Sequence, residues 1–243
     1  MKTLLSAFIK ILPAALLILA AVPLAACGGG ASRESSSKQK TAAASPAAPA
    51  TPAETVPKIV AFGDSLTAGY GLAPQESYPA LLQKLIDADG FKYEVVNAGV
   101  SGDTSAGGVR RIDWSLDAGG VRFVILELGA NDFLRGQPVG ETKKNLSEII
   151  ERARSRGAQV LLAGMLTTTE SGRDYEVEIS DAFKSLAREH EVVLIPFFLE
   201  GVAGIDRLNQ QDRIHPNAEG TRLVAATVYR HLKPLLEKER KER

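Results

Sequence analysis

The chain has 243 residues, enough for one large domain or two small ones, and its 29 Lys and Arg are balanced by 29 Asp and Glu. A formally neutral chain with scattered basic residues lacks the positive face that nucleic acid requires, so no nucleic-acid partner is expected. Its single Cys, Cys27, excludes an intramolecular disulfide, a Cys-rich zinc site and a cysteine nucleophile in the folded part.

Met1–Ala26 carries Lys2 and Lys10, an apolar run from Ile11, and small residues before Cys27, the layout of a secretory signal peptide. The apolar run, about 16 residues broken by Pro13 and Pro23, is shorter than the roughly 20 residues that span a bilayer. Leu24-Ala25-Ala26-Cys27 resembles the bacterial lipobox, in which the Cys becomes the lipidated first residue of the mature chain. The other reading is a chance Cys beside an ordinary cleavage site, but a lone exposed thiol is a liability in an oxidising compartment. Lipidation at Cys27 would hold the protein on a membrane by acyl chains. Gly28, where an Asp would retain a lipoprotein at the inner membrane, implies by the same resemblance an outer-membrane location facing the periplasm. Residues 27–57 are Gly, Ala, Ser, Thr and Pro with few charges, which predicts a flexible tether. Residues 58–243 then form one domain.

Within that domain, short apolar runs at Lys58–Phe62, Glu94–Asn97, Phe123–Leu128, Gln159–Ala163 and Val192–Pro196 predict strands. They are rich in Val, Ile and Leu with little polar alternation, as expected of strands covered on both faces. Helices are predicted at Tyr78–Ala88, Ser105–Leu116, Thr142–Arg156, Tyr175–Glu189 and Asn217–Glu239, with Gly90 and Gly157 at helix C-caps. This alternation predicts an α/β fold, a three-layer α/β/α sandwich around a mainly five-stranded parallel sheet with right-handed crossovers. Ligands of such sheets bind beyond the carboxyl ends of the strands. Three polar turns lie there: Gly63-Asp64-Ser65, Ala98–Thr104 and Gly129-Ala130-Asn131-Asp132.

Singly, each turn is weak evidence of chemistry. Asp and Ser leaving a strand bond their own backbone, and Asn tolerates left-handed turns. A fourth segment, QDRIHPNAEG, sets Asp212 three residues before His215, ahead of a helix that Pro216 is suited to open. Neutral imidazole is a good general base near neutral pH, and a carboxylate on its second nitrogen fixes the tautomer. A helix-capping His beside a solvated Asp is the competing reading. His190 lies between Glu189 and Glu191, and His231 falls on the expected polar face of the last helix. Neither competes with His215, and three scattered His lack the close spacing of a metal site.

FGDSLTAGYG, NAGVSGDTSAGG, LGANDFLRG and DRIHPNAEG together resemble the four signature blocks of the SGNH, or GDSL, hydrolases, in order, across Lys58 to Leu236. Within that family the likeness is to the bacterial thioesterase/lysophospholipase and arylesterase branch, supported by LIPFFLEGVAG at Leu194–Gly204. The resemblance implies a flavodoxin-like topology and hydrolysis of carboxylic esters or thioesters, single-chain lipids included, without cofactor or metal. It implies Ser65 as nucleophile, His215 as general base and then acid, and Asp212 as the group that orients His215. The implied oxyanion hole is the Ser65 N–H, the Gly102 N–H and the Asn131 side-chain amide. Ala130 and Phe133 depart from the glycines expected beside Asn131, and Phe133 is positioned to narrow or line an acyl pocket. LTTTESGRDY lacks an expected Pro-Asn pair. Other readings are a deacetylase of cell-envelope sugars using the same site, a flavodoxin-like module binding phosphate at its first loop, and a catalytically dead lipoprotein. No GxGxxG or GxxxxGK[ST] lies near Ser65, which counts against the phosphate-binding module.

Overall fold

The computed structural model describes residues 56–117, 119–166 and 172–242. The segments expected to be a signal peptide and a tether, with Cys27 between them, lie outside the described residues up to residue 55. Five strands form one sheet: β1 (Lys58–Gly63), β2 (Glu94–Gly99), β3 (Val121–Glu127), β4 (Gln159–Ala163) and β5 (Val193–Ile195). Every pairing is parallel, in the order β2-β1-β3-β4-β5. This is the flavodoxin-like order.

The crossover from β1 to β2 carries α2 (Tyr78–Ala88). The crossovers to β3, β4 and β5 carry α3 (Ser105–Leu116), α5 (Val139–Ser155) and α6 (Arg173–Glu189). The first crossover steps one way along the sheet and the later three step the other way. Right-handed connections then put α2 on one face and α3, α5 and α6 on the other. The terminal α7 (Ala218–Glu242) packs back against α2, completing three layers.

Burial follows strand position. Ile59–Phe62 of β1 and Phe123–Leu126 of β3 are fully buried, whereas every residue of β2 keeps some exposure and only Ile195 of β5 is buried. This corrects the expectation that all five strands are covered on both faces: among the described residues β2 pairs only with β1, and β5 only with β4, and both edge strands are partly exposed. Two single-turn helices escape sequence periodicity altogether, α1 (Ser65–Ala68) and α4 (Ala130–Leu134). Helix ends also shift. α5 begins at Val139, directly after Pro138, rather than at Thr142. Pro216 does not open α7, because it pairs with Asn209 in an isolated bridge. Asn217 caps the helix instead, its Oδ1 accepting from Glu219 N–H at 3.0 Å and Gly220 N–H at 3.1 Å.

The direction of the crossovers reverses between β1 and β3, and a crevice opens there at the strands' carboxyl ends. Ser65 follows β1 and Asn131 follows β3, so the two stand on either side of it.

Candidate active site

β1 ends at Gly63, and the chain turns at once into α1 with Ser65 as its first residue. Gly63 lies opposite Glu127 in the β1–β3 register. A Cβ at Gly63 would overlap Thr67 Oγ1 and Glu127 Oε2, so the turn closes only around glycine. Asp64 is the N-cap of α1, its Oδ1 accepting from Leu66 N–H at 3.0 Å. Its Oδ2 accepts from the Asn131 amide at 2.9 Å. One buried carboxylate therefore both caps the helix that carries Ser65 and orients the side chain of Asn131.

Glu127 supports this turn from below, with Oε2 accepting from Thr67 Oγ1 at 2.7 Å and from Asp64 N–H at 3.2 Å. It is fully buried, and its Oε1 has no hydrogen-bond partner among the described residues. Burial, reinforced by the neighbouring Asp64 charge, pushes its carboxyl well above the usual range. Asp64 is pushed up to about 6, also by burial, against the lowering effect of its bonds from Leu66 and Asn131.

The second half of the site is the turn before α7. Asp212 Oδ1 accepts from the N–H groups of Ile214 and His215, both at 3.0 Å. Arg213 sits in the left-handed region at φ 60°, which lets the chain curl around that carboxylate. Asp212 Oδ2 lies 2.7 Å from His215 Nδ1, and His215 Nε2 lies 2.9 Å from Ser65 Oγ. A proton on Nδ1, directed at the carboxylate, leaves Nε2 free to accept from the serine hydroxyl. Partial burial works to raise the Asp212 carboxyl, but the hydrogen bonds from His215 and Ile214 outweigh it and hold it at about 2.

Ser65, Gly102, Asn131 and His215 line one cleft of about 210 Å³. Gly102 has φ 80°, and its carbonyl accepts from Arg135 Nη2 at 3.0 Å. Ser65 is the first helical residue, so its N–H has no carbonyl to bond within α1. Leu66, Ala130, Leu134 and Ile214 line this cleft and also a second, apolar pocket of about 170 Å³, which continues past Phe133 to Met165 and Leu199. Phe133 is held by edge-on contacts with Tyr175 and Phe183, at 6.2 and 6.3 Å between ring centroids.

Sequence reasoning missed the residues that join these segments. Arg111 donates to the carbonyls of Ala98 and Gly63 and pairs with Asp103, linking the ends of β1 and β2. Asp132 accepts from Ser105 N–H at 2.8 Å and Ser105 Oγ at 2.5 Å, joining the starts of α4 and α3. The one available signal was a buried-type position held by a charged residue, as at Glu127 directly after the apolar run Phe123–Leu126. The other two histidines stand apart: His190 contacts Ser147, and His231 contacts the Thr227 carbonyl.

A doubly wound parallel sheet with hydroxyl, imidazole and carboxylate in a hydrogen-bonded line beside a cleft defines a serine hydrolase. The chain belongs to the GDSL-like lipase/acylhydrolase family, whose model matches residues 61–223. It is 39% identical over 178 residues to Esterase TesA of Pseudomonas aeruginosa, covering 73% of this chain and 89% of that protein. It is 36% identical over 178 residues to thioesterase 1/protease 1/lysophospholipase L1 of Escherichia coli K12, covering 73% of this chain and 84% of that protein. The solved structure of the psychrotrophic esterase EstA from Pseudoalteromonas sp., inhibited by monoethylphosphonate, matches with a TM-score of 0.71 at 33% identity. That match covers 74% of this chain and 98% of the other.

Proposed function

We propose that this ester hydrolase cleaves carboxylic esters and thioesters through an acyl-serine intermediate. The observation that carries the proposal is the line Ser65 Oγ–His215 Nε2 at 2.9 Å and His215 Nδ1–Asp212 Oδ2 at 2.7 Å. Ser65 Oγ attacks the substrate carbonyl carbon as His215 takes its proton, and Asp212 stabilises the resulting imidazolium. The tetrahedral oxyanion accepts from the N–H groups of Ser65 and Gly102 and from the Asn131 amide. Asp64 uses one N–H of that amide and leaves the other for the oxyanion. Collapse expels the alcohol or thiol, protonated by His215, and water repeats the sequence on the acyl-enzyme.

The acyl chain enters the apolar pocket, where Phe133 limits its length, so short and medium chains are the preferred substrates. Thioesterase and lysophospholipase activities, borne by the name of the Escherichia coli relative, are consistent with this cleft. Cys27 is the lipid anchor in this proposal, holding the enzyme at the outer membrane facing the periplasm. Cys27→Ser should release it from membranes, and unchanged membrane association would contradict lipidation.

The test of the nucleophile is p-nitrophenyl ester hydrolysis by the full chain and by Ser65→Ala. Turnover should fall by at least about 10⁴-fold with the fold intact. Equal rates would remove Ser65 from the mechanism.

A further inference from the structure

Tyr70 is a large aromatic residue left mostly exposed, at 55%, and the general-base mechanism gives it no part. Its position is fixed tightly all the same. The Tyr70 N–H donates to the carbonyl of Ser65 at 3.0 Å, tying it to the residue that carries the hydroxyl. Its own carbonyl accepts from Gln210 Nε2 at 2.7 Å. The same Nε2 donates to the Pro216 carbonyl at 3.1 Å, and the Gln210 N–H donates to the His215 carbonyl at 2.7 Å. Gln210 therefore straps the segment after α1 to the turn that carries the imidazole. Gly71, at φ 75°, completes the fit, because a Cβ there would collide with the Gln210 side-chain oxygen. These bonds hold the Tyr70 ring over the His215 ring, with centroids 4.7 Å apart and planes tilted by 40°. Tyr70 also lines the cleft beside Ser65, Gly102 and Asn131.

We propose that Tyr70 is a positioning residue for His215: its ring face keeps the imidazole directed at Ser65 and favours the imidazolium formed during each proton transfer. An aromatic face within about 6 Å of a cation attracts it through the ring quadrupole. Asp212 holds the imidazole at one edge through Nδ1 and resists in-plane rotation, and Tyr70 restrains the ring out of plane. Both contributions are larger after His215 is protonated than before. They therefore act on kcat more than on KM.

This inference rests on the proposed serine mechanism, and the experiment separates the two. The full chain, Tyr70→Phe, Tyr70→Leu and Ser65→Ala are compared on p-nitrophenyl butyrate, with circular dichroism to establish folding. Leu keeps apolar bulk and lacks a π face, whereas Phe keeps the face and lacks the hydroxyl. Tyr70→Leu should lower kcat about three- to tenfold with KM within twofold, and Tyr70→Phe should restore at least half of the wild-type kcat. A Leu variant with wild-type kcat, a loss confined to KM, or a Phe variant as slow as Leu would overturn the role of Tyr70. Undiminished turnover by Ser65→Ala would instead overturn the serine mechanism itself.

Discussion

Burial of Asp64 makes stability depend on pH in a direction opposite to that of an ordinary surface carboxylate. Its carboxyl sits at about 6 in the folded chain against 3.8 in the unfolded one. Between those values the folded state binds more protons than the unfolded state, so stability is fully present below pH 3.8 and is lost as pH rises through about 6. The size of the loss is roughly 3 kcal/mol, at about 1.4 kcal/mol for each pH unit separating the two values. Asp64→Asn removes the titration. Urea unfolding of both proteins, followed by circular dichroism from pH 4 to pH 7.5, measures it. The stability of the wild type minus that of Asp64→Asn should fall by roughly 2.5 kcal/mol across the range, the remainder of the loss lying below pH 4. Glu127 is present in both proteins, but the Asp64 charge is part of what raises its carboxyl, so the difference reports the two carboxyls as a coupled pair. Asp212 acts in the other direction and in another window. Its folded value of about 2 adds stability above 3.8 that is lost on acidification toward 2. A difference that stays flat or rises with pH would refute the reasoning.

Asn131→Ala should lower kcat about 100- to 1000-fold with little change in KM, read in steady-state ester hydrolysis, since in the proposed mechanism the lost donor serves the oxyanion. Phe133→Leu should raise the rate on p-nitrophenyl decanoate relative to butyrate, by roughly fourfold for each further methylene buried at about 0.8 kcal/mol. An unchanged chain-length profile would remove Phe133 as the limit. Asp132→Ala leaves the Ser105 N–H and hydroxyl without their acceptor, and should cost about 1–3 kcal/mol in urea unfolding.

The central strands were legible because β1 and β3 hold uninterrupted apolar runs, Ile59–Phe62 and Phe123–Leu126, the pattern of strands covered on both faces. The edge strands blurred: Glu94–Gly99 mixes Val with Glu and Asn, and among the described residues one side of it meets no strand. α1 and α4 are single turns, too short to show a helical period, and both lie where Ser65 and Asn131 project. Of the candidate site, Ser65, Asp212 and His215 could be picked out because their chemistry is local to short motifs. Asp64 also satisfies its own turn through Leu66, as the simplest reading of Gly-Asp-Ser suggests. Its second bond, to Asn131, spans 67 positions, and nothing in either segment announces it. Gln210, Glu127 and Asp132 are hidden for the same reason: each acts on a partner brought near only by the sheet.

Ser65 and His215 stand 150 positions apart, and His215 lies just ahead of the final helix. A ribosome therefore finishes most of the domain before the imidazole that meets the Ser65 hydroxyl exists. Parallel pairing is slow, since distant strands must meet before either gains from the encounter. Any fragment ending short of residue 215 carries the Ser65 hydroxyl without the imidazole beside it, so the hydrogen-bonded line is completed only late in synthesis, with α7 still to follow.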